Sequence, residues 1–345
     1  MSNNDLFADA ARKVLADWCT PQVIREIESS GSCSVAVARL WQQLEETGLA
    51  DALLAEEEGG AGLGLGEIFG VLEQCGAHAL PLPLGETMLA RAMLAQADMA
   101  CPAGSIALAQ GAMQADGGLH CALVRGGQVA DSVLVQVQEE AGVWYLLSVS
   151  QAGLAPHAMA LDASLTWSPE QLRAAGVIRQ GPQFDARSLQ AAVVAAQMAG
   201  AMRDVFQRSL QYANERQQFG RAIGKFQAIQ HQLAVMSEHV FAARMAAQLG
   251  CSGDGIEPDR LRVAVAKARC SEAALVVTEL AHAIHGAIGF TEEYDLQLFT
   301  RRLHAWRLTA GSEAYWQALA GQALMSHEGM TLDLIRRITD VEALA

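Results

Sequence analysis

Two stretches of this chain hold residue types at spacings that could do chemistry. The first runs Glu215-Arg216-Gln217-Gln218-Phe219-Gly220-Arg221-Ala222-Ile223-Gly224-Lys225-Phe226-Gln227 and on to Ala234. Gly220 and Gly224 interrupt a helical pattern. Phe226, Ile229, Leu233, Met236 and Val240 then resume it in steps of three and four. Arg216 and Gln218 fall at that junction, where a guanidinium offers a planar fork of donors to a diphosphate. The same spacing fits a plain interhelical turn, with Phe219 as a core plug and Arg216 in a surface ion pair. The second stretch is Ala283-Ile284-His285-Gly286-Ala287-Ile288-Gly289-Phe290-Thr291-Glu292-Glu293-Tyr294. Glycines three apart after a helix let backbone approach a ligand, and N–H groups there can hold phosphate oxygens. A glycine helix cap fits the same residues.

Other chemistries find no support. The nine His include no H-x-x-x-H pair, and His282 and His285 stand three apart without further ligands, so no metal site is expected. There is no P-loop and no G-x-S-x-G elbow. Glu292 and Glu293 read as solvated or structurally paired, and Glu313 as a helix-start acid favourable to the helix dipole. A net charge of −14 disfavours nucleic acid and anionic membranes as partners. An apolar content of 51% disfavours disorder. Cys19, Cys33, Cys75, Cys101, Cys121, Cys251 and Cys270 form no C-x-x-C pair, and their odd number suits thiols in a reducing cytoplasm. The first residues lack the basic and apolar regions of a signal peptide. The Ala-rich run between Arg187 and Arg203 holds two Gln and is too short to span a bilayer, so a buried helix is expected there.

The elements that must position the two stretches follow from periodicity. Val14, Leu15 and Trp18 have helical spacing, as do Val37, Leu40, Trp41 and Leu44. Glycines break the chain between Gly59 and Gly64, and an apolar helical pattern from Ile68 ends near Pro81 and Pro83. The middle changes period. Val133, Val135 and Val137 alternate as in a half-exposed strand, Val143 to Leu147 is β-prone, and Gly117-Gly118 and Gly126-Gly127 supply turns. Asp185 is a candidate N-cap for a helix to about Asn214, and Pro258 a candidate first residue for a helix ending at Gly286. A last helix is expected from Ser312 to about Met325. The chain therefore reads as mainly α with a small β domain: helices over 1–103, a reduced β domain over 104–182, and a helical bundle over 183–345.

Together the two stretches resemble the acyl-CoA dehydrogenase family. Its C-terminal domain carries R-x-Q-F-G-x-x-[IL]-x-x-F-Q-x-x-Q, complete here from Arg216 to Gln230, and then H-G-G-x-G-[FY], here His285 to Phe290. Trp41, Gly48-Leu49 and Glu57 to Gly62 are similar to the family's first helical domain. The resemblance implies an N-terminal helical domain, a short middle β domain and a C-terminal four-helix bundle. It implies FAD, an acyl-CoA thioester, and α,β-dehydrogenation in which a carboxylate takes the α-proton while the β-hydrogen leaves as hydride to the flavin. It also implies that Arg216, Gln218, Phe219, Gln227, Gly286, Ala287 and Gly289 contact an FAD shared with a neighbouring subunit.

The chain departs from the family's pattern where the catalysis would lie. Ala310 and Gln190 occupy the two usual positions of the base, and neither accepts a proton. Arg187 to Met202 contains no acid at all. The flavin-binding Thr-Glu and Trp-Ile segments of the middle domain are not found, and Ala283 replaces a common Gln. Contacts kept and base lost together resemble the shorter, non-catalytic subunit of heteromeric (α2β2) acyl-CoA dehydrogenases of bacterial steroid and bile-acid side-chain degradation. The partner expected is a homologous catalytic subunit. Two alternatives are a catalytic homotetramer with a displaced acid such as Glu313 or Asp185, and a flavin-free scaffold or regulatory protein of the same fold.

Overall fold

The structure, a computed structural model, describes residues 3–31, 34–158, 161–181, 184–253 and 255–340. Cys33 and the expected domain boundary at 182 lie outside them. Packing divides the chain into two compact units, Met1–Val71 with Leu80–Val193 and Gly253–Pro258, and Leu72–Ala79 with Val194–Ser252 and Asp259–Ala345.

The first unit opens with helices α1 (Asn3–Trp18), α2 (Pro21–Ser30) and α3 (Val35–Glu46). Side chains fix where they begin. Thr20 accepts from Val23 N with Pro21 in the first turn of α2, and Ser34 accepts from Ala36 N to cap α3. Leu15, Leu40, Trp41 and Leu44 are buried as their spacing predicts. Trp18 is not; its ring lies half-exposed with the Arg39 guanidinium above it. Helix α4 (Phe69–Ala77) follows the glycine-rich turn and belongs from Leu72 on to the second unit, and α5 (Leu84–Gln96), in the first, leads into the sheet.

That sheet has seven strands: β1 (Ile106–Met113), β2 (Leu119–Val124), β3 (Ser132–Val137), β4 (Val143–Ser148), β5 (Gly153–Pro156), β6 (Ala163–Trp167) and, after helix α6 (Pro169–Ala174), β7 (Gly176–Arg179). Their order is β5-β6-β2-β1-β3-β4-β7, with β1 and β3 parallel and the other pairs antiparallel. Strand β3 corrects the sequence reading, because all six of its residues are buried. Val133, Val135 and Val137 enter a core with Leu165 and Trp167. On the opposite face Gln136 donates to Phe184 O and accepts from Ala186 N. Thr87 on α5 ties helix to sheet, bonding both the N–H and the carbonyl of Ile106. Gln110 takes a bond from Arg187 and gives one to Asp185, so the polar side chains at this end of β1 and β3 are satisfied within the unit.

Helix α7 (Ala186–Glu215) opens in the first unit and continues in the second, the division falling after Val193. Asp185 caps it, accepting from the N–H and hydroxyl of Ser188. The Ala-rich run from Ala191 to Met202 is buried throughout. The second unit then contains a two-strand ribbon, β8 (Gln217–Gln218) and β9 (Arg221–Ala222), and helices α8 (Gln227–Cys251), α9 (Arg260–His285), α10 (Leu296–Leu308), α11 (Glu313–Ser326) and α12 (Thr331–Thr339). Asp259, rather than Pro258, sets the start of α9, accepting from Leu261 N and Arg262 N. Helix α11 is not the last, since α12 follows. The stretch Arg260–Phe290 is long and apolar enough by length and composition to cross a bilayer. Here α9 packs against α8, α10 and α11 and buries Arg262 and Lys267. The family fold expected from the motifs, mainly helical with a small β layer, is the fold observed.

Candidate functional site

Helix α7 ends at Glu215, and the next residues form a hairpin rather than a simple loop. Gln217 pairs with Ala222 and Gln218 with Arg221, leaving Phe219-Gly220 as a two-residue turn. Both have positive φ, +50° and +79°, the signature of a type I′ turn. Glycine adopts that conformation readily; a phenylalanine does so at a cost. Phe219 is also 91% exposed, so it plugs no core of this chain. Its ring meets Phe226 edge-on at 6.2 Å, and the Arg221 guanidinium lies 4.2 Å above the Phe226 ring. Arg216 is exposed, and no side chain among the described residues accepts from its guanidinium. The bland expectation of a surface ion pair is therefore not met. Arg216, Arg221 and Lys225 place three cations within ten residues of a chain with net charge −14.

The second stretch is built by the end of α9. Gly286 caps that helix at φ +65°, where an L side chain is strained although space is open. Gly289 is glycine for the opposite reason. It is buried, and a Cβ there would stand 3.1 Å from His285 Cβ and from Leu296. The His285 side chain is fixed by its own helix, with Nδ1 2.8 Å from Ala281 O. Its ring stacks on Tyr212 at 4.5 Å and lies 5.1 Å from Tyr294. His285 is only 4% exposed, and its Nε2 is buried without a hydrogen-bond partner among the described residues. Burial moves the imidazole below its ordinary pKa. With Nδ1 donating to the helix carbonyl, Nε2 of the neutral ring carries a lone pair.

The two stretches meet around a cavity of about 740 Å³. Arg216, Gln218, Phe219, Gly286 and Ala287 line it, as does Ala283. Gln227 and Gly289 do not: Gln227 is exposed in the first turn of α8, and Gly289 packs inward. Tyr212, Ile223, Phe226, Ile229, Ile284, His285 and Ile288 complete the lining; Ile223, Phe226 and His285 are motif positions not expected as contacts, and Tyr212 lies outside both stretches. No Asp or Glu is among the lining residues.

The turn that could have carried a base has closed on itself. Ala310 sits at φ +57° and Gly311 at +105°. The Ala310 carbonyl accepts from Trp316 Nε1 at 3.0 Å. Beneath it Lys267, fully buried, donates from Nζ to Ser271 Oγ, Arg307 O and Gly311 O at 2.9–3.0 Å. Burial pulls that ammonium down to about 7. The sequence did carry a signal for Lys267: it continues the apolar face made by Val263, Cys270, Ala274 and Val277 at steps of four and three. Glu313 is held by Arg307, whose Nε lies 3.0 Å from Oε2, and that bond keeps its carboxyl below the ordinary range. In the first unit Gln190 is buried and donates to Leu108 O at 2.7 Å, joining α7 to β1.

Residues 188–343 match the family profile of the acyl-CoA dehydrogenase C-terminal domain. Acyl-CoA dehydrogenase IpdE2 of Mycolicibacterium smegmatis is 30% identical over 77% of this chain and 81% of its own length. The chain belongs to the acyl-CoA dehydrogenase family. Among solved structures, a variant of the Tcur3481–Tcur3483 steroid ACAD superposes with a TM-score of 0.79 at 24% identity, over 93% of this chain and 97% of that one. The ChsE4–ChsE5 complex from Mycobacterium tuberculosis gives 0.78 at 19% identity, over 95% and 99%. Acyl-CoA dehydrogenases are oxidoreductases with FAD as cofactor. The cavity fits such a group in kind. It has an unpaired guanidinium for a diphosphate and apolar side chains for a planar ring.

Proposed function

We propose that this chain is the base-less subunit of a two-protein acyl-CoA dehydrogenase, completing an FAD site whose catalytic carboxylate belongs to a homologous partner. The observation that carries this reading is the pairing of an open cavity at Arg216 with a sealed turn at Ala310. FAD, when bound, supplies the hydride acceptor. This chain's part is to hold it: Arg216 takes the diphosphate, Gln218 and the backbone at Gly286-Ala287 add polar contacts, and Phe219 covers the group from the hairpin tip. The paired state of Glu313 and the capping role of Asp185 argue against a displaced base in this chain.

The steroid ACAD and the two-protein complex among its structural likenesses support an α2β2 assembly acting on the CoA thioester of a steroid side chain. A reducing cytoplasm suits the six described cysteines, which are all thiols. The test is co-expression with its homologous partner. A yellow complex with equal amounts of the two chains, formed only when both are present, is the expected result. A yellow, active homotetramer of this chain alone would sink the reading. A colourless product under both conditions would instead favour the scaffold alternative.

A further inference from the structure

A second cavity, of about 640 Å³, lies along α9 and α10. Its floor is a flat stack, the Phe290 ring lying on that of His282 at 4.2 Å and 20°. His282 is itself pinned, with Nε2 3.0 Å from Thr300 Oγ1. Phe290 is 70% exposed, so most of its ring faces solvent. Leu275 and Ala283 supply apolar walls. Thr278 has spent its hydroxyl on Ala274 O and Leu275 O. Glu279 and His304 are then the polar groups left in the lining. Both are exposed, and no hydrogen bond or ion pair among the described residues holds either.

A carboxylate beside the face of an aromatic ring selects a cation. Burial holds both imidazoles below their ordinary pKa, with His304 adding to the effect at His282 and Arg307 to that at His304. Around neutral pH neither ring puts a competing positive charge next to Glu279. The chain's own cation one turn beyond His304, Arg307, is taken by Glu313. Among cations a guanidinium fits best, because its plane stacks on a ring while its edge gives parallel bonds to a carboxylate. An ammonium is a point charge with no plane to lay on that floor. This cavity shares Ala283 with the one at Arg216, so a protein chain that closes over the first reaches the second.

We propose that this cavity is a socket for an arginine side chain of the partner subunit, its guanidinium laid on the Phe290–His282 stack and its N–H groups turned to Glu279, with His304 as a further acceptor. This rests on the two-protein assembly given above and adds to it a contact outside the cofactor cavity. An arginine seated by a ring and a carboxylate together is the kind of anchor that carries a large share of an interface's free energy. A chain of net charge −14 also gains from such a point of opposite sign, which favours a partner over another copy of itself.

The experiment follows dissociation of the co-expressed complex on dilution by analytical ultracentrifugation, with flavin content read from absorbance. Glu279→Gln keeps the shape and removes the charge. Phe290→Leu keeps an apolar side chain and removes the ring. A charge-assisted contact corresponds to about a ten- to hundredfold change in affinity, and a cation–π contact to about two- to tenfold. Glu279→Gln is expected to weaken association by the larger factor and to flatten its salt dependence, and Phe290→Leu by the smaller. Phe290→Tyr, which keeps the ring, should associate as the unsubstituted chain does; weakening equal to that of Phe290→Leu would overturn the ring's part and with it the socket. Because Glu279 and Phe290 touch one guest, the double variant should lose less than the product of the two factors. Replacing the partner's arginines one at a time should find one whose loss matters in the unsubstituted chain and not in Glu279→Gln. Unchanged association in both single variants, or factors that multiply in full, would overturn the socket and leave the two-protein assembly standing. No complex even with the unsubstituted chain would overturn both.

Discussion

Two regions of the second unit differ in what they do with their polar groups. At residues 307–313 every conspicuous group is used: Lys267 takes two carbonyls, Trp316 a third, and Arg307 takes Glu313. Around Arg216 and His285 the opposite holds, with a guanidinium and an imidazole nitrogen that no described side chain serves. Folding drives buried polar groups to find partners within the chain. At the first place the polar groups are finished as structure; at the second the Arg216 guanidinium stands in solvent beside the cavity. The first region has closed on its own groups, while a cavity stays open at the second.

The contrast can be broken first at its closed end. Lys267→Met removes the buried donor from Arg307 O and Gly311 O, and leaving such groups unsatisfied costs about 2–4 kcal/mol in all. Urea unfolding of the complex would read that loss. The pH dependence sharpens it. The folded ammonium titrates at about 7, against roughly 10.4 in an unfolded chain. Between those values the unfolded state binds the extra proton, so this group makes stability rise with pH from about 7 to about 10.4. Lys267→Met should lack that rise, and equal slopes for the two proteins would show the lysine to be ordinarily solvated.

At the open end, Arg216→Ala should weaken FAD binding to the complex by about tenfold to a hundredfold or more, since charge-assisted bonds contribute about 1.5–3 kcal/mol each. Lys in its place should restore only part, lacking the planar fork. Affinity equal to wild type would return the hairpin to the status of a mere connection between helices. The smallest effect is expected at Glu313→Gln. Turnover of the assembled enzyme should stay within a few-fold, whereas loss of a true proton acceptor costs on the order of 10²–10⁴-fold. Stability should fall by about 1 kcal/mol or less, as for a partly exposed ion pair.

Much of this contrast was legible in the sequence. The R-x-Q-F-G pattern and the glycine stretch brought Arg216, Gln218, Phe219, Gly286 and Ala287 to one cavity. What stayed hidden depends on three-dimensional context. Gly286 and Gly289 look alike as letters, yet one answers to a backbone angle and the other to Leu296 packed against it. Val133, Val135 and Val137 alternate in period two, but Gln136 on the other face is buried too because Phe184 and Ala186 supply its partners. Which nitrogen of His285 is left over is decided by a helix carbonyl four residues back. Gly220 advertised a break, but only the pairing of Gln217 with Ala222 shows that the break is a hairpin.

That hairpin has a bearing on the proposed assembly. A large side chain on a slack loop must be immobilised when it is buried, and the lost freedom is charged to the encounter. Phe219 stands instead on a two-residue turn, edge-on to a Phe226 that Arg221 covers from above. Its backbone is set by the turn before any second molecule comes near, and the cost is carried by the isolated chain as an uncomfortable backbone angle. In the proposed assembly, burial of that ring would call for no change in the turn's backbone, and its contribution would fall on the lifetime of the complex.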